Sequence, residues 1–93
     1  MAQFQHQQQT CTLTGKLSRQ EVIELWPQQQ AILSDQITAI DLSRLDYVDS
    51  SGVAFLFHLI EAGNKNGRTV NLINPSKQLQ PLIALYNLQS FFS

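Results

Sequence analysis

Apolar residues recur along this chain at two spacings, and the spacing changes from one segment to the next. Residues 10–14 alternate hydroxyl and apolar side chains, which is typical of a strand with one buried face. Residues 37–42 form a short, β-branched and apolar segment that predicts a buried central strand, and residues 69–73 are predicted to form another strand. The Gln-rich residues 1–9 fit either a loose N-terminal arm or an edge strand.

Three other segments place apolar residues at helical spacing. The first begins with Ser18-x-x-Glu21, a capping box in which each side chain satisfies a free backbone N–H. Pro27 should kink this helix or end its first half, because it removes one backbone donor. The second helix is predicted over about residues 51–64 and the third over about residues 79–86.

The predicted element order is β-β-α-β-α-β-α. Strands that alternate with helices favour a sheet in which parallel pairs are joined by helical crossovers. We therefore predict an α/β fold with a mixed sheet of about four or five strands. A chain of 93 residues has room for one core, so residues 1–93 are expected to form a single domain.

Charge and cysteine content exclude several classes of function. Six Lys and Arg residues against seven Asp and Glu residues give a net charge of −1, which argues against a nucleic-acid binder. Charged residues make up only 14%, so part of the surface must be neutral, and that leaves area for a partner. Cys11 is the single cysteine, and no Cys/His cluster indicates a structural metal.

Membrane and export signals are not found in the sequence. No apolar run reaches the roughly 18 residues that a spanning helix needs. Residues 1–10 contain no apolar segment of the kind found in signal peptides. A cytoplasmic domain that does not insert into the membrane is the expectation.

The most distinctive segment is the junction before the second helix, where Asp49, Ser50, Ser51 and Gly52 follow a predicted strand. The start of a helix has free N–H groups and the positive end of the helix dipole, so an anion is favoured there. The simpler interpretation is that Asp49 and Ser50 only cap the helix, because Asp and Ser are common caps.

The pattern Asp41-x-Ser43, five intervening residues and then Asp49-Ser50-Ser51-Gly52 resembles the STAS domain family over residues 10–88. That family includes anti-sigma-factor antagonists, C-terminal domains of sulfate transporters and accessory subunits of some ABC transporters. Phe-His-Leu-Ile at 57–60, Ala-Leu-Tyr-Asn-Leu at 84–88 and Trp26 are most similar to the MlaB type, found in lipid-asymmetry transporters.

The resemblance implies the STAS fold and a non-catalytic subunit of a phospholipid-transporting ABC complex that maintains outer-membrane lipid asymmetry. Such a subunit binds the cytoplasmic ATPase and regulates or stabilises it, and lies peripherally at the inner membrane. One feature departs from this type, because MlaB-type chains carry Thr-Gly after the Asp. Asp-Ser-Ser-Gly is the form found in anti-sigma-factor antagonists, so the alternative is an antagonist switched by phosphorylation of Ser50.

No arrangement of residues in the sequence indicates catalysis. His58 lies about two turns beyond Ser50, too far to serve as its base. Asp41, Asp46 and Asp49 lack the placement of a paired-carboxylate site or a metal cage, and no glycine-rich phosphate loop is present. We therefore expect no enzymatic activity, no cofactor and no metal.

A helical-wheel count predicts two faces for the second helix. The face toward the sheet should contain Val53, Leu56, Phe57 and Ile60. Phe55 falls on the other side and is predicted to be an exposed interface anchor, because aromatic residues are enriched in interface cores.

Outside that helix, the interpretation of single residues is less direct. Trp26 shares a wheel face with core positions, so burial is the simpler prediction, although a surface-exposed ring edge would suit a binding hot spot. Arg44 and Arg68 are predicted to be solvated, and Cys11 to be a small buried hydrophobe. The predicted partner-binding residues are Asp49, Ser50, Ser51, Gly52, Phe55 and Trp26.

Overall fold

The computed structural model describes residues 2–34, 36–87 and 89–91, and within them four strands form one mixed sheet. The strands are β1 (Ala2–Gln7), β2 (Thr10–Leu17), β3 (Ala39–Val48) and β4 (Asn71–Ile73). The helices are α1 (Arg19–Leu25), α2 (Gln29–Ile32), α3 (Ser50–Lys65) and α4 (Gln80–Leu85), with 3₁₀ turns at Trp26–Gln28 and Gln89–Phe91. The predicted α/β class and element order are confirmed.

The sheet order is β1-β2-β3-β4, so strands that follow one another in the chain are also neighbours in space. β1 pairs antiparallel with β2 across a turn at Gln8 and Gln9, so its six residues form the predicted edge strand, and Met1 lies outside the described residues. The two other pairs are parallel. Each therefore requires a crossover connection, which α1 with α2 provides in one case and α3 in the other.

Pro27 divides the first helical segment as predicted. α1 ends at Leu25, a 3₁₀ turn follows, and α2 begins at Gln29. Pro27 lies at the start of the 3₁₀ turn, where a backbone N–H would have no partner within the helix. The missing N–H of proline therefore costs no hydrogen bond there. At the start of α1, the Ser18 backbone N–H donates to the Glu21 carboxylate, and the Ser18 side chain accepts from the Glu21 backbone N–H, which confirms the predicted capping box.

Two strands differ from the prediction in their bounds. β4 (Asn71–Ile73) is shorter than the predicted residues 69–73, and β3 runs on beyond the predicted residues 37–42 to Val48, so that only Asp49 separates it from α3. The reason is that Leu45 and Val48 continue the buried side of the strand, after irregularities in its pairing with β2. Leu88, the last residue of the stretch 84–88 that resembles the MlaB type, lies outside the described residues.

The two faces of the sheet differ in chemistry. Paired positions in successive strands share a face, and the face with Leu13, Cys11, Ile40 and Leu72 is fully or almost fully buried beneath the helices. The other face carries Gln and Thr side chains from β1 and β2, which are exposed or half-buried. The core therefore lies between one face of the sheet and the helices. The remaining buried apolar residues are Leu17, Leu25, Ile32, Leu33, Ile37, Leu42, Leu45, Val48, Val53, Phe55, Leu56, Leu59, Ile60, Val70 and Leu79.

Cys11 is the small buried hydrophobe that the sequence predicts. Its side chain has no exposed surface, and the thiol is free. Burial disfavours the charged thiolate and raises the pKa of Cys11 to about 11.

Arg68 corrects a prediction, because its guanidinium group is not simply solvated. It donates to the carbonyl oxygens of Leu33 (2.7 Å), Ser34 (2.6 Å) and Ile37 (3.1 Å). These carbonyls lie at and just beyond the end of α2, where a helix leaves acceptors without an intrahelical partner. Arg68 therefore fastens the connection between α2 and β3.

Among the described residues, every helix is too short or too polar to cross a bilayer. In the same residues, no three His, Cys, Asp or Glu side chains come together as a metal site requires.

Candidate partner-binding surface

The N-terminus of α3 is held by Asp49, which caps it as the simpler sequence interpretation predicts. One carboxylate oxygen of Asp49 accepts from the backbone N–H of Gly52 at 3.0 Å. The second oxygen accepts from the backbone N–H of Arg19, in the first turn of α1, at 3.3 Å. A single carboxylate thus satisfies free N–H groups of two helices and fixes their starts relative to one another.

Gly52 allows α3 to approach the end of β2. A Cβ atom at this position would lie 2.2 Å from the carbonyl oxygen of Leu17 and 3.0 Å from a side-chain carbon of Val48. The backbone N–H of Asp49 donates to the same Leu17 carbonyl at 3.3 Å. Gly52 is buried, so its contribution to a partner surface is to set the position of the residues beside it.

Ser50 and Ser51 form the first turn of α3 and differ in exposure. Ser50 is exposed at the first residue of the helix, and Ser51 is half-buried beside α1. The hydroxyl-bearing residue that the family pattern singles out is therefore accessible from solvent.

Trp26 is 47% exposed, so the prediction that it is buried in the core is wrong. Trp26 continues the helical geometry of α1, because its backbone N–H donates to the Val22 carbonyl. Val22, which shares its face, is itself only half-buried and lines a groove with Trp26, so this face does not point into the core. Its indole ring stacks on the imidazole of His58, with the ring centroids 4.3 Å apart. His58 in turn lies 2.5 Å from the side-chain oxygen of Gln29, so the ring on which Trp26 rests is itself held in place.

Phe55 is 1% exposed, so its predicted place on the exposed side of α3 is also wrong. The wheel count allowed for one packing partner, the sheet, but α3 also packs against α1, and this widens its buried face. Phe55 lies in that second contact, with its ring centroid 6.1 Å from that of Trp26. Phe57, which the count placed in the core, is half-buried instead.

An open groove of about 500 Å³ runs between α1 and α3 on this side of the molecule. It is lined by Val22, Trp26, Ser51, Ala54, Phe55, Phe57, His58 and Glu61, and we call it the α1–α3 groove. A shallower apolar hollow continues beside it, lined by Val22, Ile23, Trp26 and Pro27. Ile23 is 66% exposed, and the sequence analysis missed it. An available signal was that Ile23 lies off the stripe of α1 formed by Val22 and Leu25.

The structure thus brings five of the six predicted residues to one region. Asp49, Ser50, Ser51 and Gly52 form the start of α3, and Trp26 lies along the same side of that helix through its contact with His58. Phe55 lies beneath this surface and supports it from within.

Residues 1–92 match the protein family described as "Mlab, STAS domain". The chain belongs to the MlaB-type STAS domain family. Its relatives include the "Intermembrane phospholipid transport system binding protein MlaB" of Escherichia coli strain K12, 38% identical over 79 residues, which are 85% of this chain and 80% of that protein. The protein of the same name from Haemophilus influenzae is 34% identical over 89 residues, or 90% of this chain and 85% of the relative.

The MlaB-type chain also has the fold of solved STAS structures. The unphosphorylated anti-sigma factor antagonist SpoIIAA superimposes with a TM-score of 0.75, covering 100% of this chain and 86% of that one, at 21% identity. The phosphorylated Bacillus SpoIIAA gives a TM-score of 0.68, again at 21% identity, covering 100% of this chain and 89% of that one. At this identity the likeness concerns the fold alone, and it confirms the predicted STAS architecture.

Proposed function

We propose that this MlaB-type protein is a non-catalytic subunit of an intermembrane phospholipid transport system, and that it binds the cytoplasmic ATPase of an ABC transporter. The relatives named for such a system, at 34–38% identity over most of the chain, support the first part. The observation that carries the second part is the exposed Trp26 beside the α1–α3 groove, next to the accessible start of α3.

The chemistry of this surface suits protein docking. Ile23 and Trp26 expose 66% and 47% of their surfaces. Contact of apolar surface with water is unfavourable, so covering these side chains with a partner lowers the free energy. Trp is also enriched among the residues that dominate binding energy, particularly where it is already ordered by its neighbours. The contact of Trp26 with His58 provides that order, so little rotational freedom is lost when the partner docks.

In this proposal the protein supplies no group for ATP hydrolysis. It stabilises the ATPase in the transporter or regulates it, and regulation requires that it bind two states of the ATPase with unequal affinity. It lies in the cytoplasm and is held at the inner membrane by the complex, without inserting into the bilayer or binding nucleic acid.

Ser50 supports a second candidate function, that of an anti-sigma-factor antagonist. Its side chain is exposed at the first residue of α3, where a kinase could reach the hydroxyl. Phosphorylation adds about −1.5 to −2 charges beside the Asp49 carboxylate, and like-charge repulsion with desolvation then opposes docking of a partner. Both candidates therefore use the start of α3, and they differ in the partner.

Co-purification with the ATPase of the phospholipid transport system from the same organism tests the first candidate. We expect Trp26→Ala to weaken ATPase binding by about 30-fold, as a hot-spot loss of about 2 kcal/mol implies, without lowering the melting temperature much. Leu85→Ala is the matched control, because Leu85 is 72% exposed on α4, outside this groove, and binding should be unchanged.

Two further variants test the start of α3 and the support beneath the groove, and the identity of the wild-type partner separates the two candidates. Ser50→Asp should weaken ATPase binding, whereas Phe55→Ala should lower the free energy of unfolding by about 3–5 kcal/mol through the cavity it leaves. Failure of the wild-type chain to bind the ATPase, together with binding to a kinase that phosphorylates Ser50, would establish the second candidate instead. Equal ATPase binding by wild type and Trp26→Ala would show that the partner docks elsewhere.

A further inference from the structure

The outer edge of β1 has none of the usual features that keep a strand from pairing with another chain. β1 lies at one end of the sheet, and in the part of the chain that the structure describes no strand pairs with its outer side. Edge strands are normally protected by charged side chains, by proline or by a bulge. The sequence Ala-Gln-Phe-Gln-His-Gln has no Lys, Arg, Asp, Glu or Pro, and its register with β2 is unbroken.

The hairpin geometry shows which backbone groups face this edge. Gln7 and Thr10 are partners that flank a two-residue turn, and in such hairpins this pair exchanges both backbone hydrogen bonds. Hydrogen-bonded pairs then alternate along the ladder, so Gln3 also directs its N–H and C=O toward β2. The hydroxyl of Thr14 on β2 donates to that Gln3 carbonyl at 3.5 Å, in agreement.

The alternate residues, Phe4 and His6, therefore direct their backbone N–H and C=O groups outward. Their side chains lie on the core side of the sheet, where His6 contacts the backbone carbonyl of Ile32 at 3.1 Å and Phe4 packs against the core. The strand is thus held by its side chains in the extended form that a further strand requires. We call these outward groups of β1 the β1 edge.

We propose that the β1 edge pairs antiparallel with the β1 edge of a second copy of this chain. The strand is self-complementary, because Phe4 and His6 present donors and acceptors that the same residues of an antiparallel copy can match. The two strands can pair in two registers that each overlap five residues. In one register the two-fold axis passes through Gln5 and residues 3–7 overlap, and in the other it passes through Phe4 and residues 2–6 overlap. Either register keeps the core sides of the two sheets on the same side.

The side chains on the other face favour a second copy as the occupant. Gln3, Gln5 and Gln7 are exposed and uncharged, so two copies meet without like-charge repulsion. A Gln amide has both donors and an acceptor, so Gln side chains facing one another across the pair can bond reciprocally. This inference is independent of the proposed function, because neither ATPase nor kinase takes part in it.

The size of the contact predicts a weak and closed association. Five residues from each copy bury much less than the roughly 800 Å² per partner of a stable dimer. We therefore expect a dissociation constant of about 100 µM or higher. The contact uses the same surface on both copies, and such an isologous interface closes as a dimer. The strand at the other end of the sheet, β4, has only three residues, which is too short for a second contact of this kind, so a filament is not expected.

Sedimentation velocity of the full chain, from roughly 10 µM to roughly 1 mM, tests the proposal. The wild type should shift toward a dimer as concentration rises. The double variants Gln3→Lys/Gln5→Lys and Gln3→Glu/Gln5→Glu should each stay monomeric, because like charges face one another in either register. An equal mixture of the two should restore the dimer, because the facing charges are then opposite.

Gln80→Lys/Gln89→Lys is the matched control, since it makes the same charge change at two exposed positions near the C-terminus and should dimerise like the wild type. A wild type that stays monomeric throughout, or a dimer that both β1 variants retain, overturns the proposal. A mixture that stays monomeric also overturns it. Hydrogen exchange needs no variant: protection of the Phe4 and His6 amides should rise with wild-type concentration, and unchanged protection while dimer forms overturns the pairing.

Discussion

The two ends of α3 are fixed by the same two devices, a close-packed glycine and a charged side chain that bonds backbone groups. At the N-terminal end, Gly52 lies against the Leu17 carbonyl and Asp49 accepts from two backbone N–H groups. At the C-terminal end, Gly63 lies against Val70 and Arg68 donates to three backbone carbonyls.

The difference between these ends lies in what they leave exposed. The N-terminal end presents Ser50 to solvent and adjoins the α1–α3 groove, so the residues that build it also position a surface. The C-terminal end adjoins a second open groove, of about 770 Å³, which is lined mainly by polar residues and by no aromatic side chain. Arg68 lies in this groove and is bonded to backbone carbonyls of the chain. The contrast is therefore between an apolar surface with an exposed tryptophan at one end and a polar surface at the other. Variants at both ends test whether only the first of these surfaces serves docking.

The largest effect is expected at Gly52. In Gly52→Ala the new Cβ meets a backbone oxygen at 2.2 Å, which can move only if β2 or α3 moves. We expect a loss of about 4 kcal/mol or more in the free energy of unfolding, measured by urea denaturation.

Gly63→Ala is the matched comparison, because its Cβ meets a Val70 side-chain carbon at 2.5 Å and that side chain can adjust. The free energy of unfolding is expected to fall by about 1–3 kcal/mol. Adding Val70→Ala to Gly63→Ala should restore part of this loss, which a double-mutant cycle measures. If both glycine variants lost the same stability, the contrast between backbone and side-chain obstruction would be wrong.

Arg68→Met should have the next largest effect. The substitution leaves the carbonyls of Leu33, Ser34 and Ile37 without their charged donor, so unfolding should become easier by about 2–3 kcal/mol. Arg68→Lys should retain only part of the stability that Arg68 provides, because an ammonium group lacks the planar array of donors of a guanidinium group. ATPase affinity should stay constant, and Arg44→Met, at an exposed arginine, should change stability by less than about 0.5 kcal/mol.

Asp49→Ala should lower the free energy of unfolding by about 1–2 kcal/mol, because the helix loses its cap. It should also weaken partner binding. Asp49→Asn is the sharper variant, because its oxygen can still accept from Gly52 while its NH₂ group cannot accept from Arg19. Calorimetry and binding measured on the same samples decide the issue. A variant that loses stability but binds the partner normally would remove the functional distinction between the two ends.

The smallest effect is a pH dependence at the start of α1. Donation from the Ser18 hydroxyl holds the pKa of Glu21 below its ordinary value of 4.5. A lowered pKa stabilises the fold above the ordinary value, and this contribution disappears as pH falls through the lower, folded-state pKa. The stability difference between wild type and Glu21→Gln, followed by thermal unfolding, should therefore be present at neutral pH and shrink below about pH 4. A difference that stayed constant into strong acid would contradict this account.

The element order could be predicted from the sequence because it depends on local signals: Ser18-x-x-Glu21, Pro27 and the β-branched strands. The placement of Trp26 and Phe55 could not, because it depends on how α1 and α3 pack together. Periodicity identifies an apolar side of a helix but not the number of elements that cover it, so Phe55 was assigned to the surface.

Arg68 illustrates a related limit. Its partners are the carbonyls of residues more than thirty positions earlier in the chain, and no spacing in the sequence links them. Asp49 was found because its first partner is only three residues away, at Gly52, and caps follow local rules. Its second partner, thirty residues earlier at Arg19, was as invisible to sequence reasoning as those of Arg68.

Because the single cysteine is buried, its reaction with a thiol reagent can report local opening of the fold around β2. Cys11 is fully covered in the central part of the sheet, and with a pKa of about 11 it remains a neutral, unreactive thiol at physiological pH. A thiol reagent therefore labels the protein only when β2 is transiently uncovered, because exposure restores an ordinary pKa of about 8.5. When reclosing is fast, the labelling rate divided by that of a free thiol gives the equilibrium constant for opening. Without any engineered probe, the rate of one chemical reaction therefore reports the fraction of molecules in which the helices no longer cover this part of the sheet.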